Sequence, residues 1–243
     1  MIRFPSPLIP GVLLKRYKRF LADVRLDDGK IVTAHTANSG SMMGLIEPGF
    51  PVYLSPIENP SAKLKYRWEI VRAGRVLVGV NTLLPNKLIK QAVEKNRIPQ
   101  LSGYDSVTAE VKFGKHSRID LLLSSAQRRC YVEIKNVTLA EKGVAYFPDA
   151  KTSRGLKHLK ELTKAVQKGC RAANVYCVQR ADAKKLCPAW KIDPEYARGM
   201  AAAAKRGVEF YAFKAKVRKE GVSLAENIPV DFGPLETRLG SAD

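Results

Sequence analysis

Apolar and polar residues alternate along the first third of the chain. Phe20, Ala22, Val24 and Leu26 recur at every second position, Asp27-Asp28-Gly29 interrupts them, and Ile31-Val32 resumes, which predicts a β-hairpin. Further short apolar runs at 52–55, 66–71 and 76–80 are parted by Glu58-Asn59-Pro60 and Ala73-Gly74. Short strands at regular spacing, with no long helix among them, predict a small closed barrel, and the five-stranded OB-fold suits this length. Pro5, Pro7 and Pro10 break residues 1–14, which therefore offer neither a signal-peptide core nor a membrane span. A cytoplasmic location is expected. His35-Thr36-Ala37-Asn38-Ser39-Gly40-Ser41-Met42-Met43-Gly44 is small and polar with spaced glycines. It is either a loop that approaches another group closely or a barrel corner.

Beyond residue 81 the spacing lengthens to that of helices. Asn86 is placed to cap a helix over 86–96, with Leu88, Ile89, Ala92 and Val93 on one face and Pro99 beyond its end. A strand over 107–113 turns at Gly114-Lys115-His116 into another over 118–123, and a short polar link leads to a third over 130–135. A loop over 140–149 precedes a helix over 152–168, whose Leu156, Leu159, Leu162, Ala165 and Val166 keep helical spacing. Gly169 ends that helix, a strand returns over 174–178, and Asp193-Pro194 opens a second helix running to Arg206. A core strand over 208–213, a basic rim over 214–219 and an irregular tail follow. Two units result: an OB-like barrel over 1–84 and an α/β domain over 85–243.

The chemistry concentrates where charge enters strands that otherwise read as buried. In Arg118-Ile119-Asp120-Leu121-Leu122-Leu123 and Cys130-Tyr131-Val132-Glu133-Ile134-Lys135, Glu133 and Lys135 share one face of a strand while Val132 and Ile134 take the other. With the hairpin centred between Ala126 and Gln127, Asp120 faces Glu133 directly. Like charges so placed repel and are costly to bury, unless a divalent cation and Lys135 compensate. With the preceding turn centred on Lys115, Glu110 falls beside Asp120 and three carboxylates gather. Asp120 and Glu133 offer the oxygen ligands that a hard cation such as Mg²⁺ takes. Lys135 would then orient a water or stabilise pentacovalent phosphorus during phosphodiester cleavage. The plainer alternative is an edge-strand salt bridge, because Glu-x-Lys on a strand is common.

The formal charge of +19 over 243 residues makes a polyanion the natural partner, nucleic acid first. A membrane surface, an acidic protein or a merely solvated basic exterior are the alternatives. In the barrel, Lys15, Arg16, Lys18, Arg19, Lys63, Lys65 and Arg67 interleave with Tyr17, Phe20, Tyr66 and Trp68, the mixture that tracks a backbone and stacks bases, though some of these aromatics will fill the barrel. On the helix over 152–168, Arg154, Lys157, His158, Glu161 and Lys164 form a polar face that is either solvated or turned to phosphate. Four irregularly spaced cysteines read as reduced core residues, and three scattered histidines argue against structural zinc. There is no internal repeat, glycine-rich phosphate loop or Gly-x-Ser-x-Gly elbow.

A resemblance adds to this reading. Ala34-His35 through Asn38-Ser39-Gly40, Ser117-Arg118-Ile119-Asp120, Val132-Glu133-Ile134-Lys135-Asn136-Val137-Thr138-Leu139, Phe147-Pro148-Asp149-Ala150 with Arg154-Gly155 and His158-Leu159, and Ile192-Asp193-Pro194 together resemble the sugar fermentation stimulation protein A family. The likeness spans nearly the whole chain. It implies an N-terminal OB-like five-stranded β-barrel and a C-terminal restriction-endonuclease-like α/β domain related to the PD-(D/E)XK nucleases. It also implies that Asp120, Glu133 and Lys135 occupy the catalytic signature, with Glu110 as an added metal ligand and Mg²⁺ or Mn²⁺ as the ion. Arg19, Lys65, Arg67, Arg118, Arg154, Lys157 and His158 are the expected nucleic-acid contacts. The expected function is DNA binding with metal-dependent phosphodiester hydrolysis. The alternative is a non-enzymatic DNA-binding regulator of maltose metabolism that keeps the nuclease frame; a sugar-binding barrel is a third. No membrane partner or small-molecule cofactor is expected.

Overall fold

A computed structural model describes residues 1–5, 7–113 and 117–233. The turn expected at Gly114-Lys115-His116 lies outside the described residues. After a two-residue strand β1 (Ile2–Arg3), the barrel comprises β2 (Ile9–Tyr17), β3 (Leu21–Leu26), β4 (Ile31–His35), β5 (Pro51–Pro56) and β6 (Tyr66–Ala73), with β7 (Val76–Gly79) added beside β6. The strand order β4-β3-β2-β5-β6 closes through a parallel contact between β4 and β6, so the predicted five-stranded OB-like barrel forms. Leu13, Val24, Val52, Leu54, Trp68 and Val71 fill it. Strand β2 is hidden in the sequence by Pro10, which the structure accommodates opposite Tyr53. Gly11 is required there by close approach: a Cβ would lie 2.6 Å from Val24 Cγ1 and 2.9 Å from Arg25 O.

The chain continues through α1 (Leu84–Glu94), a 3-10 turn at Pro99–Leu101, and strands β8 (Ser106–Phe113), β9 (Ser117–Ser124) and β10 (Arg129–Val137). Next come β11 (Ala140–Glu141), β12 (Val144–Phe147), α2 (Ser153–Gln167), β13 (Arg171–Val178), β14 (Lys185–Pro188), α3 (Pro194–Lys205), β15 (Glu209–Arg218) and β16 (Gly221–Ile228). The principal sheet has the order β1-β16-β15-β13-β10-β9-β8, with β10, β13 and β15 parallel at its centre. One face packs on α1 through Leu88, Ile89 and Val93, joined by Tyr53 and Ile70 of the barrel. The other packs on α2 and α3 through Leu159, Leu162, Tyr196 and Met200. Thr152 and Asp193 cap α2 and α3 by accepting from the N–H groups of Gly155 and Tyr196.

Three expectations are corrected. The loop over 140–149 contains β11 and β12, which form a small sheet with β14. The basic rim continues β15, and the first part of the expected irregular tail, Gly221–Ile228, is its antiparallel partner β16; residues 234–243 of that tail lie outside the described residues. Residues 2–3, read as part of the barrel unit, pair instead with Val222 and Gly221 of the second sheet.

The two units are stitched by the glycine-spaced loop after β4. Ser41 Oγ donates to Asp149 O at 2.6 Å, and the Met42 N–H donates to Asp149 Oδ2 at 2.9 Å. A Cβ on Gly40 would lie 2.8 Å from Asp149 Oδ2, so only glycine lets the loop come this close. From the barrel side the Arg16 guanidinium donates to the carbonyls of Asn38 and Gly40, both at 2.9 Å. All four cysteines are free, and burial pushes the Cys130 and Cys177 thiols up to about 12, which keeps them unreactive. No helix among the described residues is long and apolar enough to cross a membrane.

The attachment of the N-terminal strand is testable at Gly221, where a Cβ would lie 2.2 Å from Ile2 O and 2.9 Å from Arg3 Cα. Gly221→Ala is expected to destabilise the protein by about 1–3 kcal/mol in urea unfolding and to increase amide exchange in residues 2–3. Unchanged exchange there would contradict the pairing.

Candidate active site

Strands β9 and β10 meet in the register that their short link predicts, with Cys130 opposite Leu123 and Val132 opposite Leu121. One step on, where Asp120 would face Glu133, the ladder stops. Side-chain alternation also breaks here. Leu121 and Leu123 pack toward α1, whereas Ile119 packs with the α2 and α3 cluster. On β8 the same switch falls at Glu110, which holds the left-handed conformation with φ 54°. Freed from the ladder, the Asp120 carboxylate replaces the missing backbone partner. Its Oδ2 accepts from the Ile134 N–H at 2.7 Å, and its Oδ1 accepts from Asn86 Nδ2 at 2.8 Å.

Glu133 is 3% exposed on the face covered by α2 and α3. Lys135 Nζ donates to Glu133 Oε1 at 2.6 Å, and the same oxygen is held by a short hydrogen bond from His158 Nδ1. The proton on His158 Nδ1 leaves Nε2 as an acceptor for Arg154 Nε, 3.5 Å away. Lys135 Nζ also lies 3.4 Å from His158 Nδ1, so lysine, histidine and glutamate form a compact triangle. Nearby, the buried Tyr176 and Tyr196 hydroxyls share a hydrogen bond of 2.7 Å, and burial pushes both phenols well up, so they remain neutral.

The two carboxyls are driven apart. Burial, and then the charge of Glu133, raise the Asp120 carboxyl to about 6, against the pull of the Ile134 N–H, Lys135 and Asn86. Burial acts on Glu133 in the same direction, but the His158 hydrogen bond and the charge of Lys135 outweigh it and hold Glu133 below its ordinary value. The site thus has one firmly ionised carboxylate beside a second that holds its proton more tightly, through burial first and the neighbouring charge second. Both are hard oxygen donors, the ligand type that a divalent cation takes.

The expected residues distribute unevenly. Asp120, Glu133 and Lys135 come together. Glu110 is exposed, and among the described residues no group of three acidic, histidine or cysteine side chains is arranged to hold a metal, so the expected gathering of three carboxylates does not form. The physical reason is the change of face at Glu110 and Asp120. His158, expected on the phosphate-facing side of the helix, is instead 6% exposed and belongs to the carboxylate cluster. Arg154 stands beside it, exposed, and Lys157 is exposed one residue away, 3.9 Å from Glu161. Arg118 is exposed on β9, and Arg19 and Lys65 are exposed on the barrel, where Lys65 Nζ donates to Pro60 O. Arg67 is half-buried, its Nε enclosed without a partner. Asn86 does not cap α1. Proline in the first turn moves the helix start back to Leu84, and Asn86 turns to Asp120. Pro85 was the available signal, since proline favours the first helical positions.

Residues 14–80 match the family model described as the SfsA N-terminal OB domain, and residues 83–221 match the sugar fermentation stimulation protein RE domain. The sugar fermentation stimulation protein homolog of Geotalea uraniireducens is 50% identical over 229 residues, covering 94% of this chain and 99% of that protein. The homolog of Rhodospirillum rubrum is 53% identical over 226 residues, covering 88% and 92%. The solved structure of Pyrococcus furiosus SfsA in complex with Ca²⁺ superposes with a TM-score of 0.86 at 28% identity, over 95% of this chain and all of that one. Family models over both units, and relatives of half-identical sequence along nearly the full length, agree with the fold: the chain belongs to the sugar fermentation stimulation protein family.

Proposed function

We propose that the protein binds DNA and hydrolyses its phosphodiester bonds with a divalent cation held by Asp120 and Glu133. The observation that carries this reading is the buried pair itself, with Asp120 raised to about 6 by burial and by its neighbour and Lys135 fixed 2.6 Å from Glu133. A fold without a use for that repulsion would be more stable with one carboxylate replaced. The related Pyrococcus furiosus protein was solved in complex with Ca²⁺, which supports a hard cation in this family.

A divalent cation bound there supplies charge neutralisation and activation of water. The protein's own groups do the rest. Asn86 and the Ile134 N–H fix both oxygens of Asp120 in direction. His158 fixes Glu133 and, by occupying Oε1 together with Lys135, orients the lysine's remaining donors toward the substrate phosphate. Arg154 and Lys157, exposed on the first turns of α2, contact neighbouring phosphates, and the net charge of +19 draws the polyanion in. One observation favours a second reading: Glu133 is already paired with Lys135 and hydrogen-bonded to His158, and Glu110 stands exposed. That supports a DNA-binding protein that keeps the frame without cutting.

Cleavage separates the two. Purified protein with Mg²⁺ or Mn²⁺ is expected to cut supercoiled, linear or single-stranded DNA, and Asp120→Asn and Lys135→Ala to lower the rate by about 10²-fold or more. Equal cleavage by wild type and Asp120→Asn would assign the activity to a contaminant and leave the binding reading.

The raised Asp120 carboxyl also predicts a pH dependence of stability. Between about pH 4 and 6 the metal-free folded protein holds a proton that the unfolded chain has released. Stability therefore falls as pH rises through that window and stays lowered above it. Glu133 acts in the opposite sense, stabilising above its ordinary value and losing that contribution as pH falls through its lowered one. Asp120→Asn removes the first effect but also gives up one acceptor oxygen, so the test is the pH dependence: between about pH 4 and 7 without metal the variant is expected to lose about 1–3 kcal/mol less stability than wild type. An unchanged loss of stability over that window would contradict the raised Asp120 carboxyl.

A further inference from the structure

We propose that the tip of the β2–β3 hairpin is a stacking platform for single-stranded nucleic acid, formed by Phe20 stacked with His35 next to the exposed cations Lys18 and Arg19 of the same turn. This rests on the DNA-binding part of the function above and specifies the state of the strand. Phe20 is 46% exposed, whereas Trp68 is wholly buried in the barrel. Its ring lies nearly parallel to that of His35, at 9° and 6.4 Å between centroids, so one aromatic surface is already backed by another.

The tip is built at a cost. Lys18 and Arg19 take φ of 48° and 62°, the left-handed region that glycine or asparagine fills more readily. Such strain persists only where surrounding contacts impose it, and it concentrates at binding and catalytic positions. Here the contacts are explicit. The Arg16 guanidinium donates to Arg19 O at 2.7 Å, the Phe20 N–H donates to Lys18 O at 2.8 Å, and the Thr36 N–H donates to Phe20 O at 2.9 Å. A tip held this way loses little freedom on binding. Lys15 Nζ sits 5.3 Å from the Tyr17 ring centre, so cations and aromatics alternate along the hairpin toward its end.

The chemistry selects the partner. Cations beside an exposed ring suit a phosphate backbone with an unpaired base on the ring, and a duplex hides its base faces. In OB barrels the loop joining the first two barrel strands is a general place for oligonucleotide contacts, and this tip is that loop. It is also tied to the second domain. Arg16 grips Arg19 O and the carbonyls of Asn38 and Gly40 together, and residues 41–42 dock on Asp149. The cleft of about 80 Å³ there is lined by Asn38, Thr138, Asp149 and Asn136, the residue after Lys135.

The test uses the full chain in EDTA, so that no cleavage intervenes, with a fluorescent oligo-dT and a duplex of equal length followed by anisotropy. Phe20→Ala is expected to weaken oligo-dT binding about 5- to 150-fold and duplex binding less than twofold, with Phe20→Tyr restoring wild-type affinity and Phe20→Leu failing to. Wild-type affinity of Phe20→Ala for oligo-dT, or an equal loss on both substrates, would overturn the platform while leaving DNA binding intact. A wild-type protein that binds neither substrate would overturn the DNA reading itself.

Discussion

Two carboxylates held together out of water set the terms for the rest of this structure. Asp120 and Glu133 come from adjacent strands of one hairpin, and burial together with mutual repulsion would expel one of them without opposing contacts. The contacts are drawn from well-separated parts of the chain: Asn86 from α1, the Ile134 N–H from β10 itself, and His158 and Arg154 from α2. Each of these two helices therefore has a function beyond covering the sheet. The break in the β9–β10 ladder, a defect by the standards of a regular sheet, turns an aspartate into the partner of a backbone N–H and fixes its direction.

The barrel joins this arrangement through a second polar junction. Arg16 collects several carbonyls of one loop, and that loop delivers Ser41 and Met42 to Asp149. Burial lowers the Arg16 pKa from the ordinary guanidinium value, and the charge of Asp149 partly restores it, so the two groups act on each other across the domain boundary. On the far side, Gln179 Nε2 donates to Asn81 O and Asn136 Oδ1, tying the link between the domains to the end of β10. The basic end of the barrel hairpin and the strand that carries Glu133 and Lys135 are thus parts of one hydrogen-bonded frame.

Much of this is legible in the sequence, for identifiable reasons. The period-2 pattern and the short link between Ser124 and Arg129 suffice for the register that pairs Leu123 with Cys130 and Leu121 with Val132, because a slip by one would turn those buried leucines outward. The cap at Asp193 and the helix end at Gly169 follow from local backbone chemistry. What escapes depends on tertiary context. His158 sits among basic residues on a polar helical face, and only the approach of Glu133 explains its burial. Glu110 has the right register, yet its left-handed backbone belongs to a change of face that no local pattern marks. Pro10 disguises β2, and the charged residues over 214–228 disguise two edge-side strands whose outward positions are solvated.

Whether Asp120 and Glu133 bind a cation together is measured most directly by Mn²⁺ binding, which requires no turnover. Titration of the full chain at pH 7.5, with free Mn²⁺ followed by electron paramagnetic resonance, is expected to show one saturable site per chain. That site should weaken at pH 5, where protons compete for Asp120, and should be lost in both Asp120→Asn and Glu133→Gln. No saturable binding by the wild type, or equal binding by either variant, would contradict a cation shared between the two carboxylates.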